Sequence, residues 1–529
     1  MTYTKPIFLV AFLPITIILF NLLPQKHRWK VLLLSSYVFF WSISGKLLIY
    51  LLAATAITYG CGRWLNKLQV ERDNKLEKLE KEQKKELKQL YIKKQRKIVA
   101  LCSILLIGML VVLKYTKFFG TNLNSLFETL NLPIRMTIPQ FILPIGISFY
   151  TLQAVSYIID VYKEKFKAEK HIGKIALFLG FFPVIMEGPI CRFDQVIDGL
   201  WKGERTNYHR LTFGLQRILF GFAKKVLIVD RINPFIIEAF NNYSNYDGGI
   251  MFLAMVGYTL QLYMDFSGIM DIVIGIAEIF GVKLPENFRQ PFFSKTIAEF
   301  WTRWHITLGA WFRDYIYYPV SLTKKSKEWT STLRKKIGNY YGPLLVSIIA
   351  LFCVWICNGL WHGSAWSYIF FGMYHFVLIL LGRFIEPLVK KVNEKLHINS
   401  KNFIYVGIQI LRTTLLVFVG ELFFRANGLR AGFNMFNKMI TGFSFNQITN
   451  GDLFKMGIDL QDVILMIVVT VIIFVISILK EKGINIRESI SKKNIAVRWT
   501  LYYALILAII IFGNYGFGVI QLDPMYANF

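Results

Sequence analysis

Runs of roughly 16–20 apolar residues recur from one end of the chain to the other, and each is a candidate membrane span. The first is Ile7–Leu23 and the last lies near 499–517. A soluble fold has no use for so many, because its helices keep a polar face towards water. Composition agrees: of 529 residues 54% are hydrophobic and only 18% charged, against about 25% charged in soluble proteins. The expected architecture is an all-α polytopic membrane protein, a single membrane domain over 1–529. About 11–13 membrane helices are expected, with re-entrant or interfacial helices besides.

Charge then places the loops. The 61 basic against 33 acidic residues give a net charge of +28. Such an excess suits nucleic acid or a membrane protein's cytoplasmic loops. Beside so many apolar runs it is read as loops, with no nucleic-acid partner. The basic residues Lys26–Lys30 anchor the first span inside. The segment 31–62 crosses twice, turning at Ser42–Gly45. A charged arm follows at 63–98, free of Gly and Pro between Lys67 and Lys97. Its Glu77–Lys81 and Glu80–Lys84 spacings suit a cytoplasmic helical hairpin; a partner-binding coiled coil is the alternative. Residues 174–186 are too few to span and read as a re-entrant or buried helix ending at Met186–Pro189. The loop 232–248 has no Lys or Arg and falls outside. The strongly basic 382–402 and 480–498 fall inside, and 283–343 reads as cytoplasmic and re-entrant. Both termini then face outward, although the basic residues of 422–461 fit this scheme less well.

Few residues are suited to chemistry. The five cysteines form no CxxC pair or Cys/His cluster at zinc spacing, so no metal site is expected. Ionisable side chains inside apolar segments are costly and mark candidate sites. Three regions carry them. In the first, Trp301, Trp304 and His305 are expected on one face of an amphipathic interfacial helix; an aromatic belt with Arg anchors is the simpler reading. In the second, Asn358 and His362 lie one turn apart at the end of a span and project together. An imidazole there is a usable general base, or else a satisfied core histidine. Gly359 and Gly363 beside it permit close approach of a ligand or another helix. His375 falls roughly 220° further round a continuous helix and does not pair with His362. In the third, Asp265, Asp271 and Glu278 form either a cation path or structural pairs with basic residues.

These regions carry a resemblance. PENFRQPFFSKTIAEFWTRWHITLGAWFRDYIYYPV (285–320), followed by NGLWHGSAWSYIFFGMYHF (358–376), resembles the membrane-bound O-acyltransferase superfamily, in its bacterial alginate-type O-acetyltransferase branch. That branch is related to the D-alanyl transferases of teichoic acid. FFPVIMEGPICRF (181–193), GLQRILFGFAKKVLIVDRI (214–232) and YMDFSGIMDIVIGIAEIFG (263–281) extend it, so order and spacing cover most of 140–376. The resemblance implies a tunnel through the bilayer, between a cytoplasmic thioester donor and an outer acceptor. His362 is the implied catalytic base and His305 the second histidine. Asn358, Trp361, Trp304, Arg303 and Asp265 support them. The implied donor is acetyl-coenzyme A, or an acyl-carrier thioester, with no bound cofactor. Arg289, Arg303, Arg313, Lys324 and Lys325 suit the donor's phosphates. The tail 518–529 resembles the branch's aromatic tail; its Tyr526 either relays the acyl group or only anchors the tail or docks a partner. The implied setting is a bacterial cell membrane, with an outer SGNH-type partner and an envelope polysaccharide as acceptor. Three departures stand out: Ser321-Leu322 replaces the usual Gly-Gly, Glu187 occupies a commonly small position, and the arm is long. Two rivals remain, a D-alanyl transferase using a carrier-protein thioester and a transporter or flippase using Asp265, Asp271 and Glu278.

Overall fold

The computed structural model describes residues 2–77 and 79–515, and among these every regular element is helical. Two compact units are distinguished. One contains the chain up to Leu215 together with Val273–Pro285; the other contains Gln216–Ile272 and the chain from Glu286.

The first unit opens with a π-helical turn, Ile7–Phe12, that continues into α1 (Leu13–Leu22). Together they reach roughly 24 Å, short of a 30 Å hydrocarbon core. Helix α2 (Gln25–Ser44) starts directly after Pro24, so Lys26–Lys30 forms its first turns and not a loop. The amphipathic side chains allow this: Trp29 stacks on Trp201 at 4.5 Å while Lys30 reaches over it, burying stems and keeping charges wet. The expected turn is present, for α2 ends at Ser44 and Gly45–Leu47 leads into α3 (Leu48–Leu76). Helix α4 (Lys81–Thr129) packs beside α3, so the charged arm is the extension of two membrane helices. The chain leaves helical geometry between Leu76 and Lys81, which removes the expected Glu77–Lys81 pair. The arm is tied instead by Lys75–Glu71 at 2.8 Å and by Arg72, which grips both carboxylate oxygens of Glu164 at 2.5 and 3.2 Å.

Helices α5 (Ile147–Tyr162), α6 (Ile172–Gly180) and α7 (Phe182–Ile185) are almost wholly buried, and α8 (Phe193–Lys202) follows. The short segment near 174–186 is thus a buried broken helix, as its length required. Where it breaks, Tyr3 donates to the carbonyls of Phe182 and Pro183 at 2.8 and 3.0 Å, and Ser36 accepts from the Phe182 amide. Irregular backbone at membrane depth is tolerable only with such partners.

Along the rest of the chain, α9 (Tyr208–Lys224) passes through a π-helical turn, Lys225–Val229, into α10 (Asp230–Asn241), and α11 (Gly248–Ile279) returns. The expected loop at 232–248 is therefore helical as far as Asn241. Within the second unit α9 and α11 meet backbone to backbone: a Cβ on Gly221 would lie 2.3 Å from the Gly268 carbonyl oxygen, and one on Gly268 would lie 2.9 Å from that of Gly221. Short elements follow: α12 (Ile297–Arg303), α13 (Ile306–Phe312) and α14 (Tyr318–Ser321). Then comes α15 (Lys324–His362), broken at Gly338, whose φ of 89° favours glycine. Helices α16 (Trp366–Lys395), α17 (Phe403–Arg425), α18 (Leu429–Thr441) and α19 (Asn446–Thr449) lead to α20 (Leu460–Glu481), α21 (Ile486–Ser491) and α22 (Ile495–Phe512).

Seven helical segments among the described residues are long and apolar enough to cross a membrane. One of them, 25–76, supplies two limbs because it turns at Gly45–Leu47. The chain is a multi-pass membrane protein. Fewer segments qualify than the 11–13 expected helices. The opening helix, Ile7–Leu22, is too short. In α20 and α22 side chains such as Ile467, Phe474, Ile510 and Ile511 face outward, as lipid contact requires.

Candidate functional site

Residues 300–313 do not form one amphipathic helix. Helix α12 stops at Arg303, Trp304 is extended, and His305 adopts the left-handed conformation (φ 45°, ψ 52°) before α13 begins. For a residue with a Cβ this conformation costs roughly 1–3 kcal/mol and needs outside support. Asn287, fully buried, supplies it. Its Oδ1 lies 3.2 Å from His305 Nδ1 and accepts from the Thr307 amide at 3.1 Å and the Thr307 hydroxyl at 2.9 Å, while its carbonyl accepts from the Ile306 amide at 3.0 Å. The break separates the residues expected on one face. Trp301 packs on Trp355, Phe371 and His375, whereas Trp304 packs on Tyr263, Phe288 and Phe300.

The same turn brings the two candidate histidines to one aromatic side chain. The His305 ring meets Phe266 at 4.8 Å and Trp361 at 5.4 Å; Trp361 meets His362 at 5.0 Å. His362 is the last residue of α15, and Asn358 lies one turn back, both buried. Phe371 and Phe424 wall the His362 ring at 5.8 and 5.1 Å. Each imidazole is 2% exposed, so a passage reaching them requires those aromatic walls to move. His375 is held apart, with Phe371 between it and His362, at 4.7 Å from the former. Gly359 and Gly363 serve helix packing: a Cβ on Gly359 would lie 2.6 Å from the Tyr368 carbonyl oxygen, and one on Gly363 would strike the Tyr368 ring.

The remaining candidates make other contacts. Asp265 is paired with Lys225 at 2.9 Å, and Asp271 with Arg217 at 3.0 Å and Lys224 at 2.7 Å. With Asp230–Lys225 these form a buried ladder across the Gly221–Gly268 contact, which Arg217 continues to the exposed Glu286. These contacts match the pairing alternative for Asp265 and Asp271. Arg303 joins Glu299 and Glu481, both at 2.9 Å. Arg289, Arg313, Lys324 and Lys325 are exposed. Close to the last two, an open depression of ≈ 490 Å³ is lined by Lys327, Arg334 and Lys335 with Ser321, Thr330 and Ser331. Tyr526 lies outside the described residues. Among the described residues no three His, Cys, Asp or Glu side chains converge as a metal-binding group.

Two buried polar residues escaped the reading of the sequence. Asn287 stands in a loop stretch where nothing local marks it. Glu421 ends an apolar run in α17, and its charge was the available signal.

In this helical, multi-pass protein the two histidines enclosed in aromatic walls are the candidate site. The family model for MBOAT, the membrane-bound O-acyltransferase family, matches residues 106–334. A probable alginate O-acetylase of Azotobacter vinelandii is 30% identical over 480 residues, covering 90% of this chain and 85% of that one. The peptidoglycan O-acetyltransferase of Helicobacter pylori is 27% identical over 83% of this chain and 79% of its own. The teichoic acid D-alanyltransferase of Bacillus subtilis is 33% identical over 47% of this chain and 60% of its own. The chain belongs to the membrane-bound O-acyltransferase family and is an acyltransferase.

Proposed function

We propose that the chain moves an acetyl group from a cytoplasmic thioester, acetyl-coenzyme A, to a hydroxyl acceptor of the cell envelope on the far side of a bacterial cell membrane. The observation that carries this reading is the meeting of His305 and His362, from separate elements, against the ring of Trp361. His362 removes the hydroxyl proton and the oxygen attacks the thioester carbonyl. The C–S bond breaks and the leaving thiolate takes the proton back from His362, so no cofactor is consumed. His305, fixed by Asn287, faces the developing oxyanion with Asn358. An SGNH-type protein on the outer side completes delivery to the polysaccharide. The relatives that O-acetylate alginate and peptidoglycan support this acceptor class.

A D-alanyl group carried by a protein thioester is the second reading, favoured by the similarity to the Bacillus subtilis D-alanyltransferase. A transporter using the acids is disfavoured, because Asp265 and Asp271 are neutralised by Lys225, Arg217 and Lys224. The test is transfer of labelled acetyl from coenzyme A by purified protein with its partner present. His362→Ala is expected to lower turnover by on the order of 10²–10⁴-fold. Unchanged turnover in that variant defeats the assignment, and transfer from a D-alanyl carrier protein but not from acetyl-coenzyme A selects the second reading.

A further inference from the structure

The first segment of α15, from Lys324 to Ile337, holds six basic residues and one acid, Glu328. Three of the six, Lys327, Arg334 and Lys335, line the ≈ 490 Å³ depression with Ser321, Thr330 and Ser331. Spacings of seven and eight residues put the three cations on one helix face. All three are exposed and make no ion pair among the described residues. Glu328 lies 3.9 Å from Lys324 and does not line the depression. The Thr330 and Ser321 hydroxyls donate to backbone carbonyls at 2.8 and 3.3 Å, whereas the exposed Ser331 hydroxyl is free to donate outward.

The break at Gly338 sets the depth of this face. Beyond it the chain returns to the first segment at Gly342, where an added Cβ would lie 2.6 Å from the Arg334 amide nitrogen. Two residues later begins Leu344–Trp361, a run without a charged side chain in one of the membrane-crossing helices. Arg334 is thus held where the span leaves hydrocarbon. On the same segment Trp329 and Ile337, 52% and 42% exposed, form an apolar stripe about 130° round the helix from the cations. This is the pattern of a helix lying in the interface, its apolar side among acyl chains and its cations level with the headgroups.

Unpaired cations beside a free hydroxyl match phosphate, with arginine as a fork and the lysines as point charges. The volume falls among small-ligand clefts, roughly 300–1,000 Å³. At this depth the phosphates at hand are those of the bilayer. We propose that the depression binds the headgroup phosphate of an anionic phospholipid and so anchors the 324–337 segment to the membrane surface. This does not depend on the acyl-transfer reading.

The test titrates the purified full chain, in non-ionic detergent, with pyrene-labelled phosphatidylglycerol or phosphatidylcholine and follows energy transfer from tryptophan to pyrene. Wild type is expected to bind phosphatidylglycerol more tightly on the order of 10²-fold, about a factor of five for each of three cations. Lys327→Gln/Arg334→Gln/Lys335→Gln is expected to lose most of that difference, with phosphatidylcholine unaffected. Lys327→Arg/Arg334→Lys/Lys335→Arg keeps the charge and retains it. Equal affinity for the two lipids in wild type, or undiminished phosphatidylglycerol binding in the glutamine variant, overturns the proposal. Coenzyme A is the competing source of phosphate: no displacement of the lipid at equal concentration supports the lipid site, and displacement assigns the depression to the donor instead. None of these readouts requires turnover.

Discussion

The left-handed turn at His305 makes Asn287→Ala the most informative single change. The substitution deletes an oxygen that takes the Thr307 amide at 3.1 Å and its hydroxyl at 2.9 Å and holds His305 Nδ1 at 3.2 Å. Thr307 is buried, so its donors are left without water. Each orphaned buried donor costs about 1–3 kcal/mol, and the Thr307 hydroxyl recovers part by rotating. A net loss of about 2–4 kcal/mol follows. His305 also loses its reason to stay at positive φ and relaxes towards an ordinary conformation, carrying its ring away from Trp361. Displacement of a catalytic group by about an ångström costs on the order of 10²-fold in rate. Denaturant unfolding followed by tryptophan fluorescence in detergent reads the first effect, and labelled acyl transfer reads the second. His305→Gly separates them: glycine accepts the same backbone without strain, which offsets part of the cost of the cavity its buried ring leaves, while the transfer attributed to the imidazole is lost. An Asn287→Ala protein as stable and as active as wild type refutes this account of how the turn is held.

Two other outcomes follow from the charges. Lys225→Met strands the carboxylates of both Asp265 and Asp230 and is expected to cost about 3–5 kcal/mol, whereas Asp265→Leu leaves Lys225 with Asp230 and costs less; the same unfolding assay compares them, and a Lys225→Met variant as stable as wild type speaks against the ladder. Outside the spans, the Tyr246 hydroxyl at 2.7 Å and then the Asn242 amide hold the Glu238 carboxyl below the ordinary carboxylate range. A lowered folded value means stabilisation that is present above the unfolded value of about 4.3 and lost as pH falls through the folded one. Hydrogen-exchange protection over 238–247 is therefore expected to fall on acidification, and at higher pH in Tyr246→Phe than in wild type; coincident titrations contradict the assignment.

Much of the fold was legible because lipid imposes a simple code. Apolar length marked α4, α16, α17, α20 and α22, and Ser42–Gly45 sat at a real turn. The brevity of 174–186 correctly excluded a span. Asn358 and His362 were legible too, since four residues along one helix is a local relation. Local relations failed at His305, where periodicity continued a helix through a residue that Asn287, eighteen positions earlier, pulls into another conformation. At Gly359 and Gly363 spacing allowed close approach of a ligand or another helix, and the packing of Tyr368 from α16 decided for the helix.

The amino-acid order by itself determined that this chain lives in a membrane as helices, because hydrocarbon leaves the backbone no partner but itself. It also determined which few ionisable groups would be expensive enough to need a purpose. Only the tertiary structure decided which purpose. Asp265 and Asp271 found lysines and an arginine as partners, whereas His305 and His362 were gathered round Trp361. The energy of a buried polar group depends on what lies within a few ångströms of it, and partners from distant parts of the chain are assigned only by packing.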